Sequence, residues 1–396
     1  MADVDVEIDE NEDDLEVDDE QPGRLTDAEI DEAFQNISFR VIYQANSFLL
    51  PQLRDLIEEG DVINVRPEYQ RRSRWPNKKK SQLIESLLLN VPIPPLFFYE
   101  SDLARYEVMD GQQRMNAIAD FLAGSYTLTG MEKLPFLNKK KYEDLPPRVK
   151  RSLDRASLSA IVLLQESKAD EEDPFVIRRY VFEKLNTGGE KLNAQELRNS
   201  LYRSEFNKLI VSLAREEEFC KIFGIPKFTK LDDDPSYINK AREKNQMYKT
   251  MADCQAVLRV FALLNDQDIS GSMKNILDRC MKNNLKKTRE DLAVLRENFL
   301  LALKTSVSFF DGQAFLLPPN DKGKRRVSLA FFDAVMVAVW RRIEKADEME
   351  RASKRICAGI SSTLVDNIDS LTGKANTAAS IKDRISVIGK VIDAEI

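Results

Sequence analysis

Apolar positions fall into two regimes along the chain. Between about residues 26 and 165, short alternating or continuous apolar runs are interleaved with helical spacings. Beyond about residue 170 the apolar positions recur at helical spacing almost throughout. Thr26 and Glu29 fit a capping box and predict a helix over 27–35. Ile37, Phe39, Val41 and Tyr43 alternate with more polar neighbours, as in a half-buried strand. Leu49, Leu53, Leu56 and Ile57 follow helical spacing, with Gly60 where a helix ends. Val62–Val65 reads as a short strand, and 78–89 as a helix with Asn77 as its N-cap. Pro92, Pro94 and Pro95 then force an extended approach to a strand at Leu96–Tyr99. After a turn at 101–104, Tyr106–Met109 returns as a strand. The next helix carries Met115, Ile118, Ala119 and Leu122 on one face and closes at Gly124. Leu158–Leu164 has strand length and density.

In the second regime, segments 174–185, 194–202, 204–219, 247–265, 273–282, 288–305, 328–344 and 346–358 read as helices. No repeat of 20–50 residues is visible. The fold class expected is α+β: a small α/β domain over 24–168, then a mostly helical domain over 169–396. The boundary falls near Gln165–Asp173, which carries five acidic residues.

Composition narrows this picture. The chain has 396 residues, 43% of them hydrophobic, enough for more than one core. No apolar run reaches the roughly 18 residues of a membrane span. The longest, Val327–Trp340, is interrupted by Asp333 and reads as a core helix. The N-terminus has neither a basic nor an apolar signal region, so a soluble, cytoplasmic chain with no membrane partner is expected. Cys220, Cys254, Cys280 and Cys357 lie far apart without a CxxC pair, as reduced, buried thiols do. The histidine count is zero. That excludes Ser-His-Asp and Cys-His triads, zincins and an HNH nuclease within this chain. The remaining chemistry belongs to carboxylates, amides, Arg and Lys, with a hard cation such as magnesium.

The net charge of −7 hides two opposite parts. Residues 1–20 hold twelve Asp and Glu and no Lys or Arg; the rest of the chain has 59 basic and 54 acidic residues. A block of like charge with no aromatics cannot bury enough surface to order itself, so 1–23 is expected to be a disordered tail. It serves solubility, or mimics nucleic acid over a basic groove.

Three segments carry candidate chemistry. In Tyr106–Ile118 a strand runs into Asp110-Gly111 and turns directly into a helix. The first-turn amides of Gly111, Gln112 and Gln113 then suit a phosphate at the positive helix end, with Arg114 adding a charge-assisted fork. Gln112 and Gln113 are placed to orient a water or a base edge. Asp110 beside a phosphate calls for a divalent cation between them, or for a water to activate. The same residues also fit a plain helix start, with Asp110 as N-cap and Arg114 as a surface charge. In Val65–Lys80, seven of sixteen residues are basic, with Tyr69 and Trp75 interleaved. Such a stretch suits phosphate contact and base stacking, or is a solvated loop with Trp75 in the core. In Val181–Asn199 a helix stops at Leu185, Gly188-Gly189 turns, and Asn193 with Glu196 restarts a helix. Asn186 and Thr187 there either meet a ligand or simply connect helices. Lys139–Lys141, Lys286-Lys287 and Lys322–Arg326 are weaker basic clusters.

In this order the segments are similar to the DUF262 family, whose best-known members form the N-terminal part of GmrSD-type modification-dependent restriction systems. The matching residues are Pro67–Arg71 with Trp75, Leu83–Pro95, Val108–Arg114 and Phe182–Arg198, supported by Asp253–Ala262 and Ala330–Met336. The resemblance implies a ParB/sulfiredoxin-like first domain that binds and hydrolyses nucleoside triphosphates with magnesium. It places Asp110, Gln112, Gln113 and Arg114 in catalysis, with Asp110 toward the metal. Tyr69, Gln70, Arg71, Gly111, Asn186, Gly188 and Gly189 would bind nucleotide. Arg72, Arg74, Trp75, Lys78, Lys79 and Lys80 would contact DNA. The family's partner domain carries a catalytic histidine that this chain lacks. The expected partners are therefore DNA and a separate nuclease subunit, with a homo-oligomer allowed. Two other readings stay open: a non-catalytic DNA- or nucleotide-binding module that recruits a partner, and a metal-dependent nuclease on the ParB-like fold. For the latter, Glu85, Glu107 and Glu183 are the second carboxylates to test.

Overall fold

The computed structural model describes residues 5–7, 26–35, 39–58, 62–64, 75–167, 175–185, 193–233, 239–310, 314–318, 326–372 and 377–396. The chain divides into two compact units, Glu20–Leu192 and Asn193–Ile396, the latter joined by Met1–Asp19. The fold is α+β.

In the first unit, strands β2 (Tyr43–Leu49), β3 (Ile63–Asn64), β4 (Leu96–Asp102), β5 (Arg105–Asp110) and β6 (Ser157–Leu163) make one mixed sheet among the described residues. Their order is β2–β6–β4–β5–β3, with β4/β6 and β3/β5 parallel and the other two pairs antiparallel. Helices α1 (Asp27–Gln35), α2 (Leu50–Glu58), α3 (Asn77–Leu88), α4 (Gln112–Leu122), α5 (Pro147–Asp154) and α6 (Val176–Leu185) accompany it. Leu50, Leu53, Ile84, Met115, Ile118, Phe121 and Leu153 close a core with Leu96, Phe98, Val108, Leu158 and Val162 of the sheet. Burial of these side chains is the main force holding α2–α5 to that face. Tyr99 and Glu107 alternate to the opposite face, where they meet Arg178 of α6.

Several expectations hold residue for residue. Thr26 and Glu29 exchange capping-box bonds at the start of α1 (Thr26 N–H to Glu29 Oε2, 2.7 Å). The β4–β5 hairpin, α4 and β6 lie where the pattern places them. The first strand does not. It spans Tyr43–Leu49, beginning where the alternation of 37–43 ends. Its register comes from pairing with Ser157–Leu163, and as an edge strand it leaves most side chains exposed, which weakens the alternation. Asn77 is the first residue of α3, with Pro76 at the N-cap. Proline's fixed φ suits a helix start.

In the second unit the helices are α7 (Ala194–Leu201), α8 (Glu205–Leu213), α9 (Glu217–Ile222), α10 (Lys240–Lys244), α11 (Gln246–Lys249), α12 (Ala252–Ala262), α13 (Met273–Asn283), α14 (Arg289–Ser308), α15 (Leu329–Trp340), α16 (Ala346–Arg351), α17 (Ser353–Asp366), α18 (Ile368–Leu371) and α19 (Ala378–Asp393). The continuous helices expected over 204–219, 247–265 and 346–358 are each broken. Met251, at φ 58°, separates α11 from α12. Helix α19 was not foreseen; Ile381, Ile385, Ile388 and Ile392 bury its inner face. Helix α15 is the core helix anticipated from its apolar run: Leu329 through Val339 are all buried. Strand β7 (Arg326–Ser328) leads into it and pairs in parallel with β1 (Asp5–Glu7). The rest of the expected acidic tail lies outside the described residues. Three of the four cysteines are buried, none of the four is in a disulfide, and burial pushes Cys280 up to about 12. Among the described residues, no helix is long and apolar enough to cross a membrane.

Candidate functional site

Strand β5 ends at Asp110, opposite Phe97 of β4 at a register shift. Gly111 then takes φ 98°, and α4 begins at Gln112 with the Met115 N–H donating to the Gly111 carbonyl at 2.9 Å. Glycine is required here twice over. L residues rarely adopt that φ, and a Cβ would stand 2.4 Å from Cδ2 of buried Leu96. The left-handed residue shifts the cap position by one. Gly111, not Asp110, is the N-cap, and no side chain caps the helix.

Released from capping, the Asp110 carboxylate meets Arg114 one turn on, with Arg114 Nη2 donating to Asp110 Oδ2 at 2.7 Å. Nη1 of Arg114 donates to the carbonyls of Pro94 and Pro95, the latter at 3.3 Å. The guanidinium therefore ties the 94–95 turn to the head of α4. Its side chain is 11% exposed against 53% for Asp110. Burial pushes the Arg114 pKa down, and the Asp110 charge offsets part of that. Arg114 was expected to fork onto phosphate. Here it holds Asp110 and the proline turn, because the Pro94 and Pro95 carbonyls lie within reach of a side chain folded back along the helix.

Gln113 Oε1 accepts the Trp75 backbone N–H at 3.2 Å, so the first turn of α4 also fixes the start of α3. Gln112 is partly buried on the same turn. Trp75 packs its ring against the core, with the Lys79 ammonium 4.5 Å from the ring centre. Lys80 donates to Asp120 Oδ2 at 2.8 Å and lies 5.3 Å from the Tyr126 ring centre. Lys78 is exposed, its stem running past Gly130. Of the three lysines expected on DNA, Lys78 and Lys79 face solvent and Lys80 is committed inward. Tyr69, Gln70, Arg71, Arg72, Arg74, Asn186, Gly188 and Gly189 lie outside the described residues.

The candidate second carboxylates are occupied elsewhere. Glu85 accepts the backbone N–H groups of Glu132 (3.1 Å), Lys133 (2.7 Å) and Leu134 (2.8 Å). Burial raises its pKa, but those bonds and the Lys133 charge outweigh it and hold the carboxyl below its ordinary value. Glu107 pairs with Arg178 at 2.5 Å, and Arg178 stacks 4.2 Å from the Tyr99 ring centre. Burial pushes the Tyr99 hydroxyl pKa up; Arg178 lowers it in part. The Tyr99–Glu107 pairing was available from the hairpin register, whereas Arg178 reaches it from a helix that no spacing connects to β5. The Glu183 side chain lies outside the described residues. Among the described residues no three acidic, Cys or His side chains gather to hold a metal. Among the described residues of the turn, the exposed carboxylate offered to a hard cation is that of Asp110. That suits a magnesium ion completed by phosphates and water rather than an all-protein cage.

Residues 53–203 match the family model for the GmrSD restriction endonuclease, N-terminal domain. The match takes in the 83–95 segment, the Asp110–Arg114 turn and the 182–198 motif. No curated protein and no solved structure matches the chain. Sequence motif and family model agree, and residues 53–203 are similar to a GmrSD-type N-terminal domain of the DUF262 family.

Proposed function

We propose that this chain is a nucleotide-binding, nucleoside-triphosphate-hydrolysing regulatory component of a restriction-type phage-defence system acting on DNA in the cytoplasm. The restriction context rests on the GmrSD-type domain. The observation that carries the nucleotide reading is the β5–Gly111–α4 turn. A strand delivers an exposed carboxylate to a helix N-terminus that no side chain caps. Phosphates docked on the first-turn amides would lie beside Asp110. A magnesium ion there would neutralise charge between carboxylate and phosphate oxygens. Arg114 acts as a positioning residue: it orients Asp110 and anchors the proline turn. In this reading the first unit is ParB/sulfiredoxin-like, and its mixed sheet with a strand–turn–helix motif is consistent with that. Because these 396 residues contain no histidine, HNH-type DNA cleavage would lie outside them.

The test is phosphate release from ATP, GTP, CTP and UTP with magnesium, with and without DNA. Wild type is compared with Asp110→Asn and Arg114→Lys. Turnover by wild type and a loss of about a hundredfold in Asp110→Asn are expected; unchanged turnover in that variant would sink the reading. A second reading, a binding module without turnover, is favoured by the Asp110–Arg114 ion pair, because it engages the carboxylate that a metal or water would need. Saturable nucleotide binding with no release of phosphate would select it. A nuclease on this fold has less support, since Glu85 and Glu107 are engaged elsewhere.

A further inference from the structure

The two edges of the first unit's sheet are unlike. One edge strand, β3, is only two residues long (Ile63–Asn64), which blunts it. The other, β2, runs for the seven residues Tyr43-Gln-Ala-Asn-Ser-Phe-Leu49, with no proline, no charged residue and no bulge in its pairing with β6. At its two ends, the Leu164 N–H donates to the Ile42 carbonyl at 2.9 Å and the Leu50 N–H to the Ala156 carbonyl at 3.1 Å. The unbroken antiparallel register between those bonds turns the N–H and C=O groups of even-numbered residues toward β6 and those of odd-numbered residues outward. The Leu49 N–H is taken by Gln52 Oε1 at 2.9 Å. The outward amides of Tyr43, Ala45 and Ser47 face no partner strand among the described residues.

Such an edge is a template for another strand, and natural sheets guard theirs with a charge, a proline or a bulge. This strand carries none of these in a chain that is 32% charged. Its own sequence points to the occupant. A two-fold axis at Ala45 sets Ala45 opposite its equivalent in a second copy, and Tyr43 opposite Ser47 of that copy. Each of the three outward N–H groups then meets an outward carbonyl, and the committed Leu49 N–H is not needed. Gln44 falls opposite Asn46, amide to amide. Val41 falls opposite Leu49, so two exposed apolar side chains cover one another. A two-fold contact sets the central residue against itself, and a strand without charge is what self-pairing tolerates. In the strand order β2 lies three strands from β5, about 14 Å away, so pairing there does not use the Asp110 turn.

We propose that β2 is a self-association edge: two copies of this chain pair their β2 strands antiparallel about Ala45 and join two five-stranded sheets into one. A single strand pair buries less than the roughly 1,200 Å² of a standard stable interface. The dimer is therefore weak, with a dissociation constant on the order of tens of micromolar.

Full-length wild type, Ala45→Pro, Ala45→Lys and Ala45→Glu are followed by sedimentation velocity over a concentration series, with hydrogen exchange at 43–47 measured at both ends of it. Proline is tolerated at position 45 because the Ala45 N–H faces away from β6. Lysine or glutamate there would stand opposite the same charge in the second copy. Wild type is expected to dimerise as its concentration rises, with exchange at 43–47 slowing in step. Each variant should weaken the dimer by about tenfold without changing thermal unfolding. An equimolar mixture of Ala45→Lys and Ala45→Glu at low salt should restore it, because opposite charges then face one another. A wild type that stays monomeric with fast exchange throughout overturns the proposal. Slow exchange in a monomer, the same at every concentration, assigns the edge to another segment of the same chain and also overturns it. Dimerisation that all three variants leave unchanged overturns β2 as the contact. Weakening in the single variants with no recovery in the mixture overturns the pairing about Ala45.

Discussion

Two Arg–Asp pairs, one in each unit, use the same chemistry in opposite surroundings. In the helical unit, Arg259 of α12 donates from Nε to Asp333 Oδ2 of α15 at 2.6 Å, with the two side chains 2% and 0% exposed. In the first unit, Arg114 and Asp110 meet at 2.7 Å, but the carboxylate is half open to solvent. The buried pair can do little except join two helices. Both ions have lost their water, and each needs the other to remain inside. The open pair leaves a carboxylate accessible at a helix start, held in one orientation by a guanidinium that is itself anchored on Pro94 and Pro95. Solvent access, not the ion pair itself, is what differs between the two.

That contrast can be broken most severely at the buried end. Asp333→Ala leaves the Arg259 charge buried and is expected to cost about 3–5 kcal/mol, read from chemical denaturation. The apolar double variant Arg259→Met/Asp333→Leu should recover most of it. Recovery would show that the pair is replaceable packing; failure to recover would assign it a further role. Next comes the turn itself. Gly111→Ala forces a Cβ toward Leu96 at an unfavourable φ, and about 2 kcal/mol is expected from thermal unfolding. Glu85→Gln is smaller, about 1–2 kcal/mol, because an amide oxygen keeps part of the clamp on 132–134 but the charge is lost. Glu85 also predicts a pH dependence. Its folded pKa lies below the ordinary 4.5, so its contribution is full above that value and disappears as pH falls through the folded pKa. The Gln variant should therefore lose less stability than wild type on acidification below about 4.5. Smallest in stability is Asp110→Asn, within about 0.5 kcal/mol because the group is exposed. A larger change would mean that the open pair is structural after all, and would cancel the comparison.

Elements governed by local rules are legible in the sequence. The Thr26–Glu29 box, the β4–β5 hairpin, the limits of α4 and the buried stretch of α15 all depend on residues within a few positions of one another. Where a distant partner decides, the pattern misleads: the alternation at 37–43 lies six residues ahead of the first strand, whose register comes from residues 157–163. A helix expected across 247–265 is broken at Met251, a residue whose propensity gives no sign of a left-handed turn.

The candidate site shows the same division. The chain's own order of residues determined that a strand meets a helix at Asp110-Gly111 and that no histidine chemistry is available. It also determined that charge separates into an acidic start and a basic body. Only the tertiary structure decided that Arg114 reaches back twenty residues to the Pro94 carbonyl, that Glu85 is spent on the 132–134 backbone, and that Lys80 turns inward to Asp120. The reason is physical. Turn geometry and helix spacing are fixed by neighbours along the backbone, whereas a long charged side chain takes whichever partner packing brings within about 3 Å of it.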